Sequence, residues 1–191
     1  MNYSTIKTHD IANGPGVRVS LFVSGCRHHC RGCFNPETWD FHNGKLFTPE
    51  IIEEILNACD HEYITGLSLL GGEPFEPENA VSLLTLVSAF KKKFPEKTIW
   101  CYTGYRIDEI VAGKLKTWHS EYKMTEDELK VAKALLNYID ILVDGEFIMD
   151  KKDLKLRFRG SSNQRVLYAK KFMQTNNIVL WDDNTGIYMN I

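Results

Sequence analysis

Four short apolar runs, each followed by a stretch of helical periodicity, limit the folds open to this chain. Val17–Val23 (VRVSLFV), residues 66–70 (GLSLL), Thr98–Tyr102 (TIWCY) and residues 139–143 (IDILV) are rich in β-branched or aromatic side chains. Helix signals lie between them. Thr48 precedes Pro49 ahead of Ile51, Ile52, Ile55 and Leu56, so a capping oxygen stands before a proline at the first helical position. Residues 79–90 carry Val81, Leu84 and Val87 and run into Lys91, Lys92 and Lys93. Thr125 and Glu128 form a capping box before Leu129, Ala132, Leu135 and Leu136.

Apolar strands separated by amphipathic helices predict an α/β fold, with helices covering a mostly parallel sheet. About five or six strands are too few for a closed eight-stranded barrel of about 250 residues. The expectation is therefore an open partial (β/α) barrel with mostly parallel strands. Ile178 to Trp181, a turn at residues 184–186 and Ile187 to Met189 read as a small C-terminal hairpin. The 191 residues fit one domain spanning 1–191, without internal repeat, low-complexity tract or linker.

Charge and hydropathy narrow the function classes. A net charge of -2 argues against a general nucleic-acid or membrane-surface binder. No apolar run approaches the roughly 20 residues of a membrane span. The first ten residues lack an apolar signal core, which predicts a cytoplasmic protein. Five cysteines, three of them clustered, suit reduced thiols and a metal centre better than a disulfide framework. Cys59 and Cys101 fall within apolar patterns and read as buried structural thiols.

The clustered three are Cys26, Cys30 and Cys33, a C-x3-C-x2-C loop directly after the run Val17–Val23. Three thiolates are one fewer than a closed zinc site or a fully ligated four-iron cube requires, so an iron cube here would keep one open coordination position. Gly25 and Gly32 flank the thiols and let the backbone fold closely. The bland alternative is zinc with His28 or His29 as fourth ligand, although no second C-x2-C or H-x3-H pair exists. The two histidines are expected to turn outward, as incidental residues or modest tuners. A second signal is Gly71-Gly72-Glu73-Pro74 at the end of the next strand; alone it is also compatible with an ordinary strand-to-helix turn. Tyr102-Thr103-Gly104-Tyr105 and Val143-Asp144-Gly145 end the third and fourth strands, so four strand ends converge on one rim.

These residues resemble the radical S-adenosylmethionine enzymes, whose signature is C-x3-C-x2-C with a Gly-Gly-Glu-like motif after the following strand. The resemblance implies a [4Fe-4S] cluster on Cys26, Cys30 and Cys33, with S-adenosyl-L-methionine chelating the free iron. It places cofactor contacts on Gly32, Cys33 and Phe34 and on Gly71, Gly72 and Glu73, and no catalytic side chain beyond cluster and cofactor. The run from Asn13 to Arg18 and then to Cys26 is similar to the subfamily that activates glycyl-radical enzymes. The segments 32–39, 102–105, 143–147 and 159–165 (RGSSNQR) narrow the resemblance to the branch acting on anaerobic ribonucleoside-triphosphate reductase. Gly32 departs from the aromatic residue many superfamily members place before the third cysteine.

What the resemblance implies is reduction of the cluster by a low-potential donor such as flavodoxin, reductive cleavage of the cofactor, and a glycyl radical left on the partner reductase. Activation of another glycyl-radical enzyme such as formate lyase is the near alternative, and a non-catalytic zinc or electron-transfer module the distant one. Assembly as a homodimer is left open. Asp144 and Glu146 are expected to be structural or partner-positioning. Residues 159–165 are either a solvated basic turn or a contact for a carboxylate or partner.

Overall fold

The structure is a computed structural model and describes residues 1–181. In chain order the elements are β1 (Asn2–Asp10), β2 (Val17–Val23), β3 (Lys45–Leu46), α1 (Pro49–Ala58), β4 (Ile64–Gly71), α2 (Pro77–Lys93) and β5 (Thr98–Tyr102). They continue with α3 (Ile107–Ala112), β6 (Lys114–Lys116), β7 (Glu121–Lys123), α4 (Glu126–Tyr138), β8 (Ile141–Asp144), β9 (Arg165–Tyr168) and α5 (Ala169–Thr175). Seven strands form the central sheet in the order β3-β1-β2-β4-β5-β8-β9, and β6 and β7 pair separately. The centre, β2-β4-β5-β8, is parallel; β1 and β3 on one side and β9 on the other are antiparallel.

Both faces of the parallel centre are buried, which is why its strands read as continuous apolar runs. Val19, Leu21 and Val23 of β2, Leu67 and Leu69 of β4, Ile99 and Cys101 of β5 and Leu142 of β8 pack in one core with helical residues such as Ile55, Leu83, Val87 and Leu135. On the opposite face Trp100, Ile141, Val143 and Val166 form a second, smaller cluster. Polar residues share that second face. Arg18 is completely buried, and donates to Ser68 Oγ at 2.8 Å, Leu67 O at 2.8 Å and Thr98 O at 2.9 Å. It has no carboxylate partner among the described residues, and burial lowers its pKa to about 10.

Two helix starts follow the sequence in position. Pro49 opens α1 after Thr48, although the Thr48 hydroxyl does not make the expected capping hydrogen bond, because it does not reach a first-turn N–H. At α4 the Thr125 hydroxyl accepts from Glu128 N at 3.3 Å while the Glu128 carboxylate accepts from Thr125 N at 2.7 Å.

Several expectations need correction. Val17–Val23 is the second strand, not the first, and the central sheet has seven strands rather than five or six. β1 (NYSTIKTHD) lacks an apolar run because much of it faces solvent. β9 (RVLY) is too short to stand out. The run at 139–143 begins pairing at Ile141, because Ile139 is the C-cap of α4. For the C-terminal hairpin, Leu180 bridges Leu167 and Trp181 packs on Trp100 at 5.3 Å, while its turn and second arm lie outside the described residues. No helix among the described residues is long and apolar enough to cross a membrane.

Candidate functional site

Because β2, β4, β5 and β8 are parallel, their carboxyl ends meet on one rim, where α/β folds keep their ligands. A cavity of about 670 Å³ opens there. Its lining brings together Cys26, Cys30, Cys33 and Phe34 after β2, Gly71, Gly72 and Glu73 after β4, Tyr102, Thr103 and Gly104 at the end of β5, and Gly145 after β8. Every expected site residue except Gly32 lines it, and Gly32 sits within the same loop with Met149 Sδ 2.7 Å from where a Cβ would stand.

The cysteine loop is held by backbone. Gly25 N donates to Thr38 O at 2.8 Å, Cys26 N to Trp39 O at 3.1 Å and Glu73 N to Gly25 O at 2.8 Å. Asn79 Nδ2 bonds Ser24 O at 3.0 Å and Glu73 O at 2.9 Å, stapling the two rim loops together. A Cβ on Gly72 would stand 2.6 Å from Gly25 O, so no other residue permits this approach. Gly25, at φ +99°, packs its α-carbon against the Phe41 ring.

Burial raises the thiol pKa at Cys26, aided by the nearby Glu73 charge, and raises that of Cys30 to about 12, with Glu146 contributing. In the absence of metal both are protonated at neutral pH, so loading a metal releases protons. Glu73 is fully buried, and its oxygens accept from Phe75 N at 2.9 Å, the Thr103 hydroxyl at 2.7 Å and Gly104 N at 2.7 Å. Burial pushes its pKa to about 7.

His28 does not turn outward: it is 1% exposed, against Tyr105 with ring centroids 4.3 Å apart. Its Nε2 lies 3.6 Å from Glu73 and its Nδ1 3.9 Å from Glu146. Burial opposes its charged form, but these two acids outweigh burial and raise its pKa. His29 does lie outside, in a left-handed backbone conformation, stacked on Trp39 at 4.8 Å. Acids form a second layer behind the loop. The Glu76 carboxylate accepts from Arg27 N at 2.9 Å and from the Tyr105 hydroxyl at 3.0 Å, and pairs with the Arg27 guanidinium. No local pattern announces this layer, because Glu76 and Glu146 reach Arg27 and His28 from distant parts of the chain.

At β8, Asp144 accepts from Arg165 Nε at 2.8 Å and from Ile107 N at 2.8 Å, so it is structural. Residues 159–165 fold onto themselves: Gln164 accepts from Gly160 N at 2.9 Å and donates to Gly145 O at 2.9 Å. The motif is therefore a structured turn rather than a solvated one.

Residues 12–167 match the family described as a 4Fe-4S single cluster domain. An anaerobic ribonucleoside-triphosphate reductase-activating protein of Enterobacteria phage T4 is 41% identical over 188 residues, which is 98% of this chain and 98% of its own length. Proteins of the same name from Escherichia coli (strain K12) and Haemophilus influenzae are each 40% identical, covering 89% and 86% of this chain and 100% and 96% of their own. The chain belongs to this family of activating proteins.

The residues present fit the family's cluster. Thiolates are the ligand type iron–sulfur centres use, and three of them converge on a cavity large enough for a guest beside them. Cys59 and Cys101 are fully buried, with thiol pKa values raised by burial, and do not line the cavity. Five polar atoms on four cavity-lining residues, both ring nitrogens of His28, Trp39 Nε1, the Tyr102 hydroxyl and Arg159 Nε, are buried without a hydrogen-bond partner among the described residues, as expected where a polar guest supplies one. His28, Cys30 and Glu146 also bring one ligand atom each within 4.8 Å of one another.

Proposed function

We propose that this chain activates an anaerobic ribonucleoside-triphosphate reductase by generating a glycyl radical on it. When bound, a [4Fe-4S] cluster supplies an electron and an open iron at which S-adenosyl-L-methionine is cleaved reductively. The protein binds and orients. Cys26, Cys30 and Cys33 would hold the cluster through three thiolates, one fewer than a fully ligated cube takes. Gly71 and Gly72 present backbone, without side chains, to the amino-acid end of the cofactor, and Glu73 locks that turn to β5. Gly32, Cys33 and Phe34 would frame the adenine, and the half-buried Phe147 and Phe158 give that side of the cavity an apolar wall. No acid–base pair is required for removing a hydrogen atom from a glycine α-carbon.

The 191 residues act as one domain in the cytoplasm, and the parallel centre curves as an open partial barrel whose mouth admits a loop of the reductase. A low-potential donor such as flavodoxin would supply the electron that a bound cluster needs. One observation carries this reading: three thiols of one loop and the Gly-Gly-Glu turn line the same cavity at the carboxyl ends of parallel strands.

Anaerobic reconstitution tests it. About four irons and four sulfides per chain are expected. Dithionite should then drive cleavage of S-adenosyl-L-methionine, and added reductase should show a glycyl radical by electron paramagnetic resonance. A radical on formate lyase but not on the reductase would reassign the partner. The grouping of His28, Cys30 and Glu146 favours a second reading, a zinc site. One tightly held zinc per chain, with no cofactor cleavage, would establish that reading instead.

A further inference from the structure

The β6–β7 hairpin is fastened to the cysteine loop, yet none of its residues lines the cavity. Trp118, at its tip, donates from Nε1 to the carbonyl of His28 at 3.0 Å, between the ligands Cys26 and Cys30. His119 packs edge-on against Trp118 at 4.6 Å and lies 6.3 Å from His29. A two-stranded hairpin is marginal by itself in water, so these contacts hold it against the outer wall of the loop.

Its surface is costly for a hairpin with no partner. Trp118 remains 71% exposed despite its anchored nitrogen. Lys114 stands directly opposite Lys123, a like-charge cross-strand pair that weakens a two-stranded sheet. Among the described residues neither lysine has a carboxylate partner; Glu121 is taken by Lys116, and Glu128 by the Tyr122 hydroxyl and the cap of α4. The hairpin thus carries three lysines against one glutamate on a chain whose net charge is -2. An exposed aromatic anchor at the tip of a hairpin whose base carries two unpaired lysines, beside the cysteine loop, is what an acidic partner would engage.

We infer that the β6–β7 hairpin is the docking surface for the electron donor, a small acidic flavoprotein of low potential. This rests on the proposed function, and it separates the two protein partners by geometry. A glycine α-carbon has to enter the cavity, whereas an electron has only to come close to the cluster through the loop wall. In the transfer one electron leaves the donor's reduced flavin and one enters the cluster; no bond forms or breaks.

The double variant Lys114→Glu/Lys123→Glu tests this, because it keeps the cross-strand repulsion and reverses only the sign. Using reconstituted protein and reduced flavodoxin at low salt, we expect about a tenfold loss in donor affinity and in the rate of cluster bleaching by stopped flow, with the difference shrinking at high salt. Reduction by dithionite should match the parent protein. Trp118→Ala should weaken flavodoxin binding in the same assay. Lys114→Glu alone creates an opposite-charge pair that favours the hairpin, so a loss of affinity there as well excludes misfolding as its cause. Parent-like flavodoxin affinity and bleaching in both lysine variants would overturn the docking assignment. Failure of the parent protein to cleave S-adenosyl-L-methionine with dithionite would instead overturn the function on which it rests.

Discussion

Glu73 and Gly104 are joined across the rim: a carboxylate oxygen after β4 accepts from the backbone nitrogen after β5 at 2.7 Å. That bond, with those from Thr103 and Phe75, sets the spacing of two walls of the cavity. It also makes stability depend on pH. Burial raises the Glu73 pKa from 4.5 to about 7, so the folded state holds this proton more tightly than the unfolded chain. Stability of the metal-free protein should therefore fall as pH rises from about 4.5 to about 7, by on the order of 3 kcal/mol. His28, whose pKa is also raised, adds a loss of the same sign above its ordinary 6.5. Urea midpoints across this range check the slope, and Glu73→Gln should flatten it.

Replacing Cys26, Cys30 or Cys33 with Ala should abolish iron-dependent visible absorbance and cofactor cleavage. Cys59→Ala and Cys101→Ala should spare both while lowering stability by about 1 kcal/mol each, the loss of a small buried side chain. Iron analysis beside thermal melts separates the two groups. Chelating the iron from the parent protein should reproduce the first group's loss of cleavage.

Gly72→Ala places a methyl group 2.6 Å from Gly25 O and 3.0 Å from Thr38 O. Both obstacles are backbone, so the turn after β4 has to separate from the cysteine loop. We expect a loss of about 2 kcal/mol or more and a cluster that reconstitutes poorly. Melting temperature and iron content per chain are the measurements.

Asp144 is completely buried, and its pair with Arg165 neutralises it. Arg165→Met leaves that charge uncompensated and should cost about 3–5 kcal/mol. Adding Asp144→Asn should recover part of the loss, since Asn still accepts from Ile107 N. A double-mutant cycle by denaturant titration checks the coupling.

Sequence reading located the parallel strands because burial on both faces makes each an uninterrupted apolar run, as in Thr98–Tyr102. It located the thiols and Gly71-Gly72-Glu73 because both depend on local spacing. It did not locate β1, whose exposed residues dilute its pattern, or β9, four residues long. Nor did it place His28, because burial of a histidine between two cysteines of the loop depends on Glu73, Glu146 and Tyr105 arriving from three other rim segments. The hairpin bearing Trp118 was equally hidden: its three-residue strands carry more lysine than apolar residues.

Arg18 has a consequence for traffic. Its guanidinium ties Pro15, Ser68 and Thr98 together beneath the chamber, at the opposite end of the strands from the cysteines. That end is sealed by a charge that stays protonated at any physiological pH. Solvent does not reach the guanidinium there, so a guest at the cysteine rim lies over a closed floor rather than the mouth of a through-channel.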